Sequence, residues 1–189
     1  MNSRPLCAYY DLVDPLSWLV AEEVLALGAE AGAVQWIPFE LRPPPAPLVT
    51  LDDPAEAARW HEARALLEGG AELFEPPLIV PWSRKAHELV VYAEARERGA
   101  EARARLFRAY LFEARDIGRV DVLVEEAVSL GLDRTEVKAV LDVDKHGAEV
   151  ADLRAGAVAA GIRTVPTLAL GERRLEGFHN RAAIRTFLG

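Results

Sequence analysis

The chain has a single cysteine, Cys7, among 189 residues. One thiol cannot close an intramolecular disulfide, run a CxxC redox pair or build a cysteine-rich zinc site. Long hydrophobic runs are missing too. No segment approaches the roughly 18–20 apolar residues of a membrane span. The N-terminus, MNSRPLCAYYDL, has no apolar stretch of signal-peptide length, so a cytoplasmic location is expected. Positive charge is in deficit. A net charge of -8 and an isoelectric point near 5.1 argue against nucleic acid or an anionic membrane as partner, because both select a positive surface. Lysine and asparagine are sparse beside arginine, glutamate, alanine and proline, a bias that GC-rich genomes and hot environments share.

What is present is enough for a core: 51% of residues are hydrophobic, in a length that suits one domain or one domain with a large insertion. Residues 5–13, with the aromatic apolar run LCAYYDLV, are expected to form a buried strand. Helical spacing of Leu16, Leu19, Val20, Val24 and Leu27 predicts a helix over 15–31, ended by Gly28 or Gly32. VQWIPFEL, residues 34–41, alternates and predicts a second strand. A β-α-β unit implies a parallel pair with a right-handed crossover.

RPPPAP, residues 42–47, is a stiff connector. A helix is expected at 54–68, capped by Asp52 or Asp53 and broken at Gly69 and Gly70. FEPPLIVPW, residues 74–82, holds three prolines and is expected to form no regular element. Another helix is expected at 83–98, capped by Ser83 and ended by Gly99, with more at 101–115, 120–130, 133–142 and 145–160. IRTVPTLAL (162–170) and RRLEG then read as strands, and NRAAIRTFL as a closing helix. The order predicts an α/β thioredoxin-like fold, β-α-β and later β-β-α, with a large all-helical insertion. The frame would be 1–48 and 161–189, and the insertion 49–160.

Five stretches carry a resemblance in this order. YYDLVDPLSWL resembles the first strand and active-site turn of the DsbA-like thioredoxin-fold superfamily, and IPFELRP its second strand. SRKAHELVVYAEARERG and LFRAYLFEARDIGRVDVLVEEAVSLGLD are similar to its FrnE-type helices. TVPTLALGERRLEGFHN resembles its cis-proline strand, hairpin and final turn. In FrnE-type members the turn is a CPWC-like unit. In kappa-class glutathione transferases and 2-hydroxychromene-2-carboxylate isomerases it is SPYS-like. Here it is Asp14-Pro15-Leu16-Ser17. A dithiol cycle needs an attacking and a resolving sulfur, and neither position supplies one.

The resemblance places Asp14 where family members carry the nucleophilic or thiol-polarising residue. Asp is also a preferred helix cap and Pro15 a preferred first helical residue. A helix N-terminus favours ionised Asp14, which would repel a thiolate and leave a base toward a neutral substrate. Ser17 is a catalytic candidate by position, although a serine nucleophile needs a base in reach; otherwise it is a small first-turn residue. The resemblance implies a cis peptide at Val165-Pro166, opposite the turn, with the Val165 backbone open to an extended ligand. His179 and Asn180 fall where kappa-type members bind glutathione through a Ser-Asp-Arg-like run; Asn180 reads equally as a helix cap. Trp82 is a candidate for lining a cleft, with Arg42, Ser83, Arg84 and Tyr10 as polar neighbours; Tyr10, Pro15 and Trp18 are candidates for ligand contact, and Trp18 reads equally as a core residue. Cys7 is expected to be a buried structural thiol, and His61, His87 and His146 to lie at the surface or its boundary.

Two functions follow. One is a binding module that has lost its redox pair and holds a small thiol, an aromatic ligand or an extended peptide at the 14–17 turn and Pro166. The other is a cytoplasmic isomerase or transferase of the hydroxychromene-carboxylate isomerase or glutathione-transferase kind. The resemblance implies glutathione or another low-molecular-weight thiol as cofactor. Several members of the group pair, so a homodimer is expected from it. No metal is expected.

Overall fold

The computed structural model describes residues 5–67 and 78–189. A four-stranded sheet has the order β2-β1-β5-β6, with β1 Leu6–Tyr10, β2 Val34–Pro38, β5 Thr167–Leu170 and β6 Arg173–Glu176. β1 and β2 are parallel, with Leu6 opposite Val34. β5 runs antiparallel to both β1 and β6. Side chains alternate across a strand, and β1 shows it: Leu6 and Ala8 pack on one face with Val20, Val24 and Ile184, whereas Tyr9 packs on the other with Phe39, Ala157 and Ala169. The first face is covered by α1 (Pro15–Leu25) and α8 (Arg181–Leu188), the second by α7 (Gly147–Ala159). This is the expected mixed α/β frame.

Between β2 and β5 the chain forms α2 (Pro54–Leu66), α3 (Arg84–Glu94), α4 (Gly99–Glu113), α5 (Val120–Ser129), α6 (Arg134–Asp142) and α7. Their common core includes Leu89, Leu106, Phe107, Leu111, Leu123 and Leu141, all essentially without solvent contact. Fully burying such a side chain contributes about 1.5–3 kcal/mol each. Asp53 caps α2 by accepting from the Ala55 and Glu56 amides, and Asp133 does the same for α6 through Thr135 and Glu136. The residues at 69 and 70 expected to break α2 lie outside the described ones.

Several boundaries differ from expectation. The first helix stops at Leu25 and continues only as a 3₁₀ turn at Gly28–Ala31. Gly99 opens α4 instead of closing α3. The stop for α3 is made by Glu97 at φ 60°, with the Arg98 amide bonded back to the Ala93 carbonyl. Gly99 answers a different need: a Cβ there would sit 2.1 Å from the Glu94 Cγ. Ser83 stands at the N-cap of α3 but makes no capping bond with its side chain. FEPPLIVPW does contain a regular piece. β4 (Ile79–Val80) pairs antiparallel with β3 (Val49–Thr50), because these two residues between prolines keep their amides.

Candidate functional site

The turn 14–17 is a helix start first. Asp14 has extended backbone angles, φ −103° and ψ 115°, and Pro15 supplies the first helical residue. The Asp14 carboxylate accepts from the Leu16 amide (3.4 Å) and the Ser17 amide (2.8 Å). It also accepts the Ser17 hydroxyl at 2.5 Å. A fourth partner comes from α2, 45 residues along: Arg59 Nε lies 2.8 Å from Asp14 Oδ1 and Nη2 also 2.8 Å. The same guanidinium donates through Nη2 to the Val165 carbonyl. Arg59 thus clasps the motif turn to the strand carrying Pro166, and the Val165–Pro166 peptide is cis.

Behind the clasp the polar chain continues. The Asp11 amide donates to Ser17 Oγ (3.2 Å), and Asp11 Oδ2 accepts from the Leu41 amide (2.7 Å). Asp11 Oδ1 accepts from His87 Nε2 on α3 (3.2 Å). His87 is 0% exposed, which corrects its expected surface position; Asp11 offers the buried partner that makes this tolerable. Burial would raise the Asp11 carboxyl, but hydrogen bonds from His87, Ser83 and the Leu41 amide, with the His87 charge, hold it below the ordinary carboxylate value. Burial dominates at Asp14 and pushes its carboxyl up, against the pull of Arg59 and Ser17.

These contacts change what the nominated residues can do. Asp14 and Ser17 are each 1% exposed, so neither a nucleophilic serine nor a carboxylate base meets a substrate in this arrangement. The Ser17 hydroxyl proton is directed at Asp14 and its lone pair at the Asp11 amide. A glutathione thiolate needs a free donor at this helix end and finds a carboxylate instead, so the residues present do not fit thiolate activation. Val165 and Pro166 are buried, and Arg59 already occupies the carbonyl expected to be open.

Other candidates separate. Pro15 is buried in the first turn. Tyr10 is buried as well, among the rings of Trp36, His87 and Phe107, and cannot contact a ligand. Burial pushes its hydroxyl far up. Trp18 is half-buried edge-on to Phe112, with ring centres 4.8 Å apart. His179 Nε2 donates to the Glu176 carbonyl (3.0 Å), and Asn180 caps α8 through the Ala183 amide (3.0 Å). Trp82 does line a cavity, with Arg84, but Arg42, Ser83 and Tyr10 are not in its wall. Cys7 is only half-buried, which corrects the expectation of full burial; burial still raises its thiol. Among the described residues no cluster of His, Cys, Asp or Glu is suited to a metal, and no helix is long and apolar enough to cross a membrane.

Sequence reasoning missed Arg59, Asp11 and His87. The signal available was a buried cap carboxylate needing a cation, and its partner lay too far along the chain to be read from spacing.

The model of the DSBA-like thioredoxin domain family matches residues 6–188. An uncharacterized protein of Bacillus subtilis, YwbO, is 31% identical, over 76% of this chain and 74% of its own. A probable DsbA oxidoreductase from Streptomyces coelicolor superposes with a TM-score of 0.77 at 20% identity, covering 97% of this chain and 88% of that one. A 2-hydroxychromene-2-carboxylate isomerase superposes with a TM-score of 0.74 at 16% identity, covering 97% and 92%. At these identities the two structures speak to fold alone.

Proposed function

This chain belongs to the DSBA-like thioredoxin domain family, and from that premise we propose that it binds an extended peptide at the cis-proline strand without thiol–disulfide exchange. One observation carries the reading: the Arg59 guanidinium holds the Val165 carbonyl while it pairs with Asp14. A peptide backbone amide is the natural competitor for that carbonyl, which lies just before β5 and outside its ladder pairs with β1 and β6, and a main-chain N–H can replace the guanidinium as its donor. Arg59 can yield Val165 and keep Asp14, so the buried carboxylate never loses its counter-charge. The motif turn then acts as a fixed anchor, and Arg59 as the group the peptide displaces. An isomerase-type activity is less well supported, because Asp14 and Ser17 are turned toward each other and away from solvent.

The test uses labelled, reduced and carboxymethylated α-lactalbumin, an unfolded chain with no free thiol, in fluorescence anisotropy. Arg59→Lys keeps the charge beside Asp14 and weakens the hold on Val165. Saturable binding that tightens several-fold in Arg59→Lys and is lost in Pro166→Ala is the expected result, with reduced glutathione giving no thermal shift. No binding by either protein, or binding indifferent to both substitutions, would sink the proposal.

A further inference from the structure

A cavity of about 480 Å³ opens beside the β3–β4 ribbon, and no residue of the 14–17 turn or the Val165–Pro166 pair lines it. Its volume falls within the roughly 300–1,000 Å³ of small-molecule sites. We infer that it is a binding site for an aromatic monocarboxylate, independent of the peptide reading.

The walls are apolar and fixed. Pro44, Leu48, Ile79, Pro81 and Trp82 form them. Leu48 is 49% and Ile79 50% exposed, and with Trp82 they form one apolar patch in the wall of the same cavity. The Trp82 indole is pinned, since Nε1 donates to the Ala46 carbonyl (2.9 Å). Gly118 presses against the same wall: a Cβ there would lie 2.7 Å from the Pro81 Cβ. A flat ring fits a rigid slot of prolines and one indole, because stacking on a held aromatic needs no rearrangement of the protein.

The charges at the rim select the ligand's polar end. Arg84 is committed to Glu40, a buried carboxylate, with contacts at 2.8 and 2.7 Å. Lys85 is committed to Glu88, Asp144 and the Leu141 carbonyl. Arg119 differs. Its side chain is 62% exposed, and its partner Asp121, at 2.7 and 3.0 Å, is equally exposed and outside the lining. The pair is two-bonded but open to water and salt, which screen it, so a ligand carboxylate can take the place of Asp121 in the same geometry. Asp144 is offset by Lys85, but Asp116 on the same rim disfavours a second negative charge, so a monoanion fits better than a dianion.

The experiment is calorimetric titration of the whole chain with 1-naphthoate, and with 1-naphthalenemethanol as its uncharged counterpart. One-to-one binding of 1-naphthoate is expected, weakened about tenfold or more by Trp82→Ala and by Ile79→Ser. Arg119→Ala should weaken 1-naphthoate about two- to fivefold and leave the alcohol unchanged. Arg59→Lys, at the turn, should alter neither. Ile79 is half-exposed, so its substitution keeps the test valid if Trp82→Ala fails to fold. The inference is overturned by an absence of saturable heat at millimolar ligand, by binding that ignores Trp82→Ala and Ile79→Ser, or by acid and alcohol responding alike to Arg119→Ala.

Discussion

His87 Nε2 donates to Asp11 Oδ1 across 3.2 Å, and both side chains are shut off from solvent. The pair ties α3 of the helical region to the end of β1, directly behind the motif turn. Its carboxylate is held below the ordinary range. The stabilisation it provides is therefore present above the unfolded value of about pH 4 and lost as pH falls through the lower folded value. Asp11→Asn should cost about 2 kcal/mol at neutral pH, as for hydrogen bonds to a charged group. In urea unfolding from pH 7 to pH 3, the gap to the unaltered protein should close toward the acid end. Asp14 contributes a slope of opposite sign, because burial raises its carboxyl, and Asp11→Asn trims only the smaller part of that rise that the Asp11 charge causes. A gap that stays constant with pH would refute the assignment.

The Asp14–Arg59 contact should show as coupling. Arg59→Ala leaves a buried carboxylate without its counter-charge and should cost about 3 kcal/mol, the lower end for a broken buried pair, because Arg59 keeps part of its side chain in water. Asp14→Asn retains an acceptor for the Leu16 and Ser17 amides. The double variant should be more stable than the sum of single costs implies, by about 2 kcal/mol. Additive costs in urea denaturation would mean that the clasp contributes nothing.

Cys7 should be a poor nucleophile. Burial raises its thiol, and its polar neighbours, the Pro5 carbonyl and Gln35 Oε1, stand 4.0 and 3.9 Å away. The thiolate is the reactive form, so alkylation by iodoacetamide should have its pH midpoint above the ~8.5 of a free cysteine. A midpoint below that value would refute burial as the influence that sets the Cys7 thiol.

Two glycines should respond in opposite directions. Gly131 ends α5 at φ 80° with open space around its Cα, so Gly131→Ala should destabilise by about 1 kcal/mol through backbone strain alone. Gly156 lies inside α7 with nothing within 4 Å of an added Cβ, so Gly156→Ala should stabilise by about 0.5–1 kcal/mol. Thermal unfolding of the two variants checks both signs.

Much of the frame was legible because local rules decide it. Asp14-Pro15 and Asp53-Pro54 announce helix starts, the run from Leu16 to Val24 has helical spacing, and Gly131 and Gly161 sit at helix ends with positive φ. The failures came where a distant partner decides. Gly99 looked like a stop, yet the close approach of Glu94 is what demands it. β4 was hidden because a two-residue strand exists only through its pairing with Val49 and Thr50. His87 looked exposed on a helix of mixed polarity, and only the arrival of Asp11 from β1 accounts for its burial. At the motif, the cap role of Asp14 is legible from Asp-Pro alone, but its accessibility is not, since Arg59 closes the turn from another helix.

A helix N-terminus is a ready anion site, and here the anion is part of the chain. Asp14 takes the place at the head of α1 that an incoming thiolate or sulfenate would seek, and Arg59 balances it. The chain supplies its own anion at that helix end. Nothing at that turn can be oxidised, so its state should be indifferent to the thiol–disulfide poise around it, identical under peroxide and under excess dithiothreitol.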